Sequence, residues 1–361
     1  MRGFKKLDWY IIRQLLTIFV LAIVMIILII IVFDLAEKLD DFLEKEAPIK
    51  GLIFTFYLNF VPYFVNLFGH LFFFISVIFL TSRLAAKTEI VAILSSGISF
   101  NRFLRPFVIS SILVGLLNFY LGNFLIPEVN KPRLEFEKKY YRNPVRNFNY
   151  NIHIQTSKNS KVYVQSFDNI NNSGFKFTYE VFNEKGISKK ITSNRISFDS
   201  ISEKWVLYDY KIREIDNLKE DLIFGDKMEI NLDLLPNDFN INAHKVEIMN
   251  YKELNTFIDR ERLRGSTLVN KYLIEKYKRM FNPIAFIILT LIGVSLSSRK
   301  TRGGTGIHLA IGITLAFSLI MMMEITSVFS TKGNLPPLLS VLLPLIIYSI
   351  IAVFLIRKAP K

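Results

Sequence analysis

Six long apolar stretches, separated by polar segments, dominate the pattern of this chain. Each is at least as long as the roughly 17 residues that an α-helix needs to cross the hydrocarbon core of a bilayer. The pattern therefore predicts six membrane-spanning helices. Pro62 lies inside the second stretch, and we expect it to separate an interfacial start from a spanning body, because proline disrupts helical hydrogen bonding. The stretches are Leu15–Phe33, Gly51–Ser82, Pro106–Pro127, Met280–Ser298, Gly303–Met323 and Gly333–Ile356.

One long polar segment, residues 128–279, lies between the third and fourth stretches. Apolar and polar residues alternate along much of it, which is typical of half-buried strands. WVLYDYKI, starting at Trp205, is ambiguous because both of its faces carry apolar residues. Short strands at this spacing, with turn signals at 172–174 and 184–186, predict an antiparallel sandwich or jelly roll. The predicted inward positions are Ile152, Ile154, Val162, Val164, Phe175, Phe177, Tyr179, Val181, Ile230, Leu232 and Leu234.

The apolar face of such a sheet has two interpretations. It is either the core of the domain or a groove that holds the hydrocarbon chains of a lipid. Under the second interpretation, Phe177 and Tyr179 are candidates for a lipid path.

The predicted fold class is a membrane α-helical bundle of six transmembrane helices with an inserted all-β, jelly-roll-like domain between helices 3 and 4. Residues 1–127 hold the first three spans, with a short helix near 86–98, and residues 128–250 form the β domain. From Asn250 the pattern becomes helical, so residues 251–279 are predicted as a helix that returns the chain to the membrane. Residues 280–361 hold the last three spans.

The connection between the second and third spans, TEIVAILSSGIS, predicts a short amphipathic helix. Thr88 is of the type that caps a helix, Glu89 falls in the first turn, where the helix dipole favours an acid, and Gly97 can end the helix. The apolar face carries Ile90, Val91, Ile93 and Leu94. Such a helix either lies on the membrane surface or docks into a partner protein.

Charge predicts the orientation of the chain, which has a formal net charge of +14 and a pI of about 9.6. Lysine and arginine cluster at both termini and in the connections after the second and fourth spans, whereas the segment after the first span, 34–50, is mainly acidic. Positive charge accumulates on the cytoplasmic side of membrane proteins. We therefore expect a multi-pass protein with both termini in the cytoplasm and residues 128–279 outside. The basic pI then calls for no nucleic-acid partner.

Several kinds of chemistry find no support in the sequence. There is no cysteine, which excludes disulfides, thiol catalysis and zinc–thiolate sites. No GxxxxGK[ST] motif is present, so the chain has no P-loop for ATP. The four histidines, His70, His153, His244 and His308, fall in four different segments. We expect no catalytic residue, no cofactor and no metal.

Glu324, near the end of the fifth span, is a candidate because acids inside a membrane are costly and often functional. It is either an interfacial, hydrated carboxylate or part of a transport path. One alternative function is a secondary transporter that uses Glu324 and His308 for proton coupling. Another is a membrane sensor whose β domain binds a ligand.

The order of these features resembles the LptF/LptG family of lipopolysaccharide export permeases. The similarity lies in three spans, a β domain and three spans, in TEIVAILSSGIS followed by RP, and in NPIAFIILTLIGVSLSSR of the fourth span. The start, LDWYIIRQLL, is more similar to the LptG side. The resemblance implies an inner-membrane permease that exports lipopolysaccharide, with a second LptF/LptG-type permease, an LptB-like cytoplasmic ATPase dimer and an LptC-like single-span protein as partners.

The resemblance also implies roles for particular residues. The short helix corresponds to the coupling helix that docks into the ATPase, which assigns ATPase coupling to Glu89, Ile90, Ile93 and Leu94. The aromatic second span, including Phe72, could line the lipid cavity. Lysines at the outer end of the first span of LptG-like proteins are thought to meet lipid phosphates. Here that stretch is acidic, and Lys38 and Lys45 are the only counterparts.

Overall fold

The computed structural model describes residues 5–141, 148–168, 170–184, 186–200, 202–216, 219–239, 243–266, 268–299 and 304–359. The chain divides into two compact units. The first, here called the helical unit, comprises Met1–Tyr141, Val246–Leu254 and Asn270–Lys361. The second, the β unit, comprises Arg142–Lys245 and Asn255–Val269.

All six predicted spans are helices long and apolar enough to cross a membrane. Most of the helices extend beyond the apolar stretches that predicted them at one or both ends, because polar turns continue the same hydrogen-bonded ladder; the last helix begins only at Pro337, four residues into its predicted stretch. The helices are α1 (Lys6–Glu44), α2 (Ile49–Gly51), α3 (Leu58–Ala86), α4 (Glu89–Ser95), α5 (Phe100–Tyr120), α6 (Ile126–Tyr140), α7 (Tyr251–Leu263), α8 (Val269–Ser297), α9 (Gly304–Lys332) and α10 (Pro337–Lys358).

The second span is irregular, but the irregularity is not where the sequence predicted it. Pro62 lies inside α3, and the chain is helical on both sides of it. A π-helical segment, Leu52–Tyr57, lies just ahead of it and joins α2 to α3. The wider turn accommodates the proline, and the Asn59 side chain donates a hydrogen bond of 2.9 Å to the Thr55 carbonyl. A second π-helical segment, Leu121–Leu125, precedes Pro127 in the third span in the same way.

The helical unit is held together by apolar side chains from α1, α3, α5, α8 and α9. Leu15 on α1, Phe73 and Val77 on α3, and Phe107 on α5 are almost completely buried in one cluster. Close approach of α5 to α8 depends on Gly115, since a Cβ there would lie 3.2 Å from the Pro283 carbonyl oxygen. This packing gives α3 a central position, against α1, α5 and α9.

The β unit is built on one antiparallel sheet of six strands in the order β1-β2-β3-β4-β5-β6. This confirms the predicted all-β domain between the third and fourth spans. The described strands form a meander in which each strand pairs with its neighbours in sequence, and in that respect they differ from the crossed connections of a jelly roll. The strands are β1 (Phe148–Ser157), β2 (Ser160–Asp168), β3 (Ser173–Asn183), β4 (Gly186–Asp199), β5 (Lys204–Asp216) and β6 (Lys219–Ile230).

A row of irregular pairs crosses this sheet. Asn151, Lys176 and Asp209 have positive φ angles of 54°, 51° and 52°. The three residues lie on one row across the sheet, and the residues next to each of them form regular pairs. For Lys176, the neighbours are Phe177, which pairs with Val164, and Phe175, which pairs with Ser166. The regular pairs keep the same register on both sides of the row, so each strand has one residue in the row that joins no regular pair and interrupts the alternation. The alternation of inward and outward side chains along each strand therefore changes phase at this row. We call it the bulge row.

The bulge row explains the ambiguous strand β5. Trp205 and Leu207 before Asp209, and Tyr210 and Ile212 after it, all belong to one core cluster. Members of each apolar set of WVLYDYKI are thus inward, whereas Val206 and Tyr208 do not belong to this cluster. The same shift makes the prediction for Phe175 wrong, because this side chain is 42% exposed whereas Phe177 is 1% exposed.

The predicted strand over Ile230, Leu232 and Leu234 is only partly correct, because β6 ends at Ile230. The residues that follow still bury their side chains: Leu232, Leu234 and Phe239 lie in the core cluster of the sheet. The Trp205 indole N–H donates a hydrogen bond of 2.8 Å to the Leu234 carbonyl. The segment 231–239 therefore covers the apolar face of the sheet.

The predicted domain boundaries differ from the observed elements in two places. Residue 128, the predicted start of the β domain, lies within α6, and β1 begins only at Phe148. The predicted helix over 251–279 is two helices, α7 and α8. Gly265, with φ +68°, lies between them, in a conformation that glycine adopts without strain.

Candidate functional site

The short helix α4 connects the second and third spans, as the sequence predicted. Gly97 ends it with φ +84°, and its N–H donates to the Leu94 carbonyl at 3.0 Å. The predicted N-cap is wrong: Thr88 has φ +59° and makes no side-chain cap, and its hydroxyl donates instead to the Lys87 carbonyl. Only two residues join α3 to α4, so the chain reverses direction through this left-handed residue and the hydroxyl cannot reach the helix start.

The two faces of α4 have different surroundings. Ile90 is 1% exposed, and Ile93 and Leu94 pack against the same core cluster of the helical unit. Val91 is 61% exposed, and Ala92 and Ser95 are exposed beside it. The surface that α4 can offer to a partner is therefore formed by Val91, which the sequence placed on one apolar face with the buried residues, and by Ala92 and Ser95, which it did not single out.

Glu89 lies in the first turn of α4 and is partly exposed. Among the described residues it forms no salt bridge, so its carboxylate is not used to hold the fold.

An ion pair that the sequence did not reveal lies close to this connection in the chain. Arg102, in the first turn of α5, donates two hydrogen bonds to Asp8, at 2.5 and 2.6 Å. The backbone N–H of Lys5 donates a third, at 2.9 Å. The Asp8 side chain is only 5% exposed. Bidentate arginine–carboxylate pairs fix geometry as well as charge, so this pair ties the start of α1 to the segment that follows α4.

Lys38, a predicted lipid contact, is 9% exposed. Its ammonium nitrogen lies 2.5 Å from Asp34 and stands over the rings of Tyr141, at 4.9 Å, and Phe56, at 5.1 Å. Asp34 and the aromatic rings together compensate its charge. The other counterpart, Lys45, donates to the Tyr141 carbonyl at 3.3 Å. A phosphate would have to displace Asp34 to reach Lys38, and such a contact stays a prediction.

Phe72 is partly buried against the core of the helical unit. It ends a ladder of rings along α3, with Phe64 to Phe68 at 6.0 Å and Phe68 to Phe72 at 6.4 Å between centroids. A role of Phe72 in a lipid path stays a prediction.

The two lipid-path candidates of the β unit belong to its core cluster. Phe177 is 1% exposed, and Tyr179 is partly buried against the same cluster. In this structure the apolar face is filled by the protein itself. Phe239 stacks on Phe167 with ring centroids 4.7 Å apart and lies 5.3 Å from Trp205.

Glu324, on α9, forms an ion pair with Lys278 of α8, at 2.7 Å. Both residues line a cavity of about 480 Å³ within the helical unit, together with Tyr63 and His70 of α3. The sequence pointed to Glu324 but not to the cavity, because cavity walls come from helices that are distant in sequence.

The three histidines whose side chains are described lie in separate surroundings. The His308 ring lies 3.0 Å from the Ser82 hydroxyl, and the His153 ring packs on Tyr163 with centroids 4.7 Å apart. The side chain of His244 lies outside the described residues. Within the described part of the chain, no group of three or more His, Cys, Asp or Glu could hold a metal ion.

Six apolar helices interrupted by an antiparallel β domain, with short connections between the spans, define a polytopic membrane protein of the permease class. The chain belongs to the LptF/LptG family: the family model for the lipopolysaccharide export system permease LptF/LptG matches residues 9–358. A comparison with curated proteins gives no match. The chain is therefore a multi-pass inner-membrane protein of a lipopolysaccharide export system.

Proposed function

We propose that this chain is one permease subunit of an ATP-driven complex that extracts lipopolysaccharide from the inner membrane and passes it to a periplasmic bridge. The family match over residues 9–358 carries the proposal. An LptB-like ATPase dimer would hydrolyse ATP, since the chain has no P-loop motif of its own. A second LptF/LptG-type permease and an LptC-like single-span protein complete the proposed complex.

The proposed cargo requires an enclosed path. Each methylene group buried from water contributes about 0.8 kcal/mol. By that measure, a lipid with several long acyl chains would cost tens of kcal/mol to expose to water. A permease that removes it from the bilayer must therefore offer apolar surface throughout. The exposed apolar side chains of α1, such as Val24, Met25 and Phe33, are suited to contact lipid or the second permease.

Coupling to the ATPase is assigned to α4. Its outward surface is small and mainly apolar, and Glu89 adds a carboxylate that no described residue pairs with. We propose that Val91, Ala92 and Ser95 enter a groove of the ATPase and that Glu89 meets an arginine or lysine there. Ile90, Ile93 and Leu94, also assigned to coupling, would act by holding α4 on the helical unit.

The test is co-purification of an LptB-like ATPase with the tagged chain, combined with lipid release from proteoliposomes. Truncating one partner of a buried interfacial charge pair costs about 2–5 kcal/mol, so Glu89→Ala should weaken assembly. Glu89→Lys should weaken it further, because it brings like charges together. Glu44→Lys makes the same change at an exposed acid at the end of α1 and should leave assembly intact. Wild-type assembly and lipid release for Glu89→Lys would remove the coupling role from this residue.

The alternative function, a proton-coupled secondary transporter, would use His308 and Glu324 together, but the two residues lie far apart. His308 and Glu324 lie on the same helix, α9, and sixteen residues at 1.5 Å each separate them by roughly 24 Å along its axis. His308 contacts Ser82, and Glu324 contacts Lys278. No contact in the described structure connects the two.

A further inference from the structure

The cavity beside Glu324 is lined by two chemically different sets of side chains. Its volume is about 480 Å³, within the size range of sites that bind small molecules. The first set is apolar and comes from α3 and α9. Its residues are Leu67, Leu71, Phe317, Ile320 and Met323. This set is suited to an acyl chain.

The second set consists of polar side chains without hydrogen-bond partners among the described residues. They are Tyr63 and His70 of α3 and Asn282 of α8, and none of the three makes a side-chain hydrogen bond to another described residue. Tyr63 and His70 are two helical turns apart, about 10 Å along α3. Polar groups in a membrane protein are costly without partners. Their convergence on one cavity points to a ligand with hydrogen-bonding groups along its length.

The charged residues of the cavity differ in how firmly they are held. Arg279 donates to Glu275 at 2.9 Å and to the carbonyls of Met249 and Val246 at 2.9 and 2.8 Å, so it is fixed by the fold. Lys278 is held by Glu324, whose side chain is 63% exposed. Lys278 is therefore the cation that can exchange its carboxylate for an anionic group of a ligand.

The lining as a whole carries an excess of negative charge. Lys278 and Arg279 are its two cations, whereas Glu247, Glu275 and Glu324 are three carboxylates. A ligand with a single phosphate can pair with Lys278, and a cationic group on the same ligand can then pair with the displaced Glu324. A lipid with several phosphates would be repelled by this surplus of carboxylates.

We propose that this cavity binds a zwitterionic phospholipid of the phosphatidylethanolamine type. Its phosphate contacts Lys278, its ammonium group contacts Glu324, and one acyl chain lies against Leu67, Leu71 and Phe317. Tyr63, His70 and Asn282 donate to the phosphate and ester oxygens. The site takes a lipid other than the exported one, and the inference does not depend on the proposed transport function.

The test is native mass spectrometry of the full chain, purified in detergent, stripped of lipid and titrated with phosphatidylethanolamine or phosphatidylglycerol. We expect one phosphatidylethanolamine per chain. Hydrogen bonds to charged groups are the stronger ones, and Lys278→Gln should therefore weaken binding at least about tenfold. Lys271→Gln changes an exposed lysine of the same helix and should have no effect. Phosphatidylglycerol, which lacks the ammonium group, should bind more weakly than phosphatidylethanolamine.

His70→Phe provides a second variant if Lys278→Gln unfolds, because it keeps an aromatic ring and removes the hydrogen-bonding nitrogens. It should also weaken binding. Equal retention of the two phospholipids would overturn the proposal, as would binding that neither cavity variant changes. Tighter binding of a multiply phosphorylated lipid A at this site, sensitive to Lys278→Gln, would instead assign the cavity to the exported lipid.

Discussion

At the scale of single residues, the ion pair between Asp8 and Arg102 constrains the chain on either side of α4. It joins the first turn of α1 to the first turn of α5, directly after α4. We expect it to fix the direction in which α4 points. Arg102→Asp should therefore loosen α4 and speed hydrogen exchange of its amides by about tenfold. The exchanged pair, Asp8→Arg with Arg102→Asp, should recover most of the protection.

Hydrogen exchange followed by mass spectrometry of α4 peptides measures this effect on the full chain in detergent. Arg105→Asp is the matched control, because Arg105 is exposed, lies one turn further along α5 and acts on Asp8 only through the field of its charge, without a salt bridge among the described residues. Equal acceleration by Arg105→Asp would show that added negative charge, and not the lost pair, loosens α4.

Residue roles that depend on local chain direction were the hardest to predict. Threonine before an acid in the first turn is a frequent cap signal, yet Thr88 adopts a left-handed conformation and caps nothing. The sequence shows residue type but not how sharply the chain turns after α3. Glu89 and Gly97 were predictable because their positions at the two ends of α4 follow from the helix itself.

At the scale of elements, the bulge row gives the β unit a property that alternation patterns do not encode. Phe175 and Phe177 were predicted on one face, but Lys176 between them has φ +51° and moves Phe175 outward. A period-two pattern assumes that every residue is extended. β1, β3 and β5 each contain one left-handed residue on the bulge row, so the assumption fails there. The inward residues of these strands can be predicted only when the position of the row is known.

Lys176 allows a test of the bulge row. Valine normally favours strands over lysine, but a left-handed conformation costs an L-residue about 1–2 kcal/mol and β-branched residues tolerate it worst. Lys176→Val should therefore destabilise the β unit by about 1–2 kcal/mol. Urea unfolding of the full chain, followed by Trp205 fluorescence in a Trp9→Phe background, measures this change, since the chain has two tryptophans.

Lys227→Val is the control, at an exposed position of β6 without a positive φ. It should be neutral or slightly stabilising, because its backbone is extended. If both variants shift the urea midpoint in the same direction and by the same amount, Lys176 is not strained and the bulge row does not hold in solution.

At the scale of the whole molecule, the arrangement of spans and the inserted domain followed from the sequence. The bilayer sets a minimum length for each apolar stretch, and such stretches are directly visible in the sequence. The order of the strands is not visible in this way, because the same alternation is compatible with a meander and with a jelly roll. The cavity of the helical unit could not be predicted either, because it is lined mainly by α3, α8 and α9, and only packing determines how these helices approach one another.

Orientation is the whole-molecule prediction that charge supports. Basic residues cluster in the termini and in the connections after the second and fourth spans, which predicts that those segments lie in the cytoplasm and the β unit outside. Because the chain has no cysteine, single cysteines report accessibility without a background. Lys158→Cys, in the exposed turn between β1 and β2, should react with a membrane-impermeant maleimide in intact spheroplasts. Lys87→Cys, between α3 and α4, should react only after the membrane is opened.

Ser298→Cys provides the control for burial, because Ser298 follows α8 on the same predicted side as Lys87 but is only 5% exposed. It should remain poorly labelled before and after the membrane is opened. Comparing Ser298→Cys with Lys87→Cys distinguishes a cysteine protected by burial in the protein from one protected by the membrane. A single cytoplasmic position could not distinguish the two. Labelling of Lys87→Cys from outside, with Lys158→Cys protected until the membrane is opened, would invert the orientation. α4 would then face the periplasm, where no ATPase could dock on it.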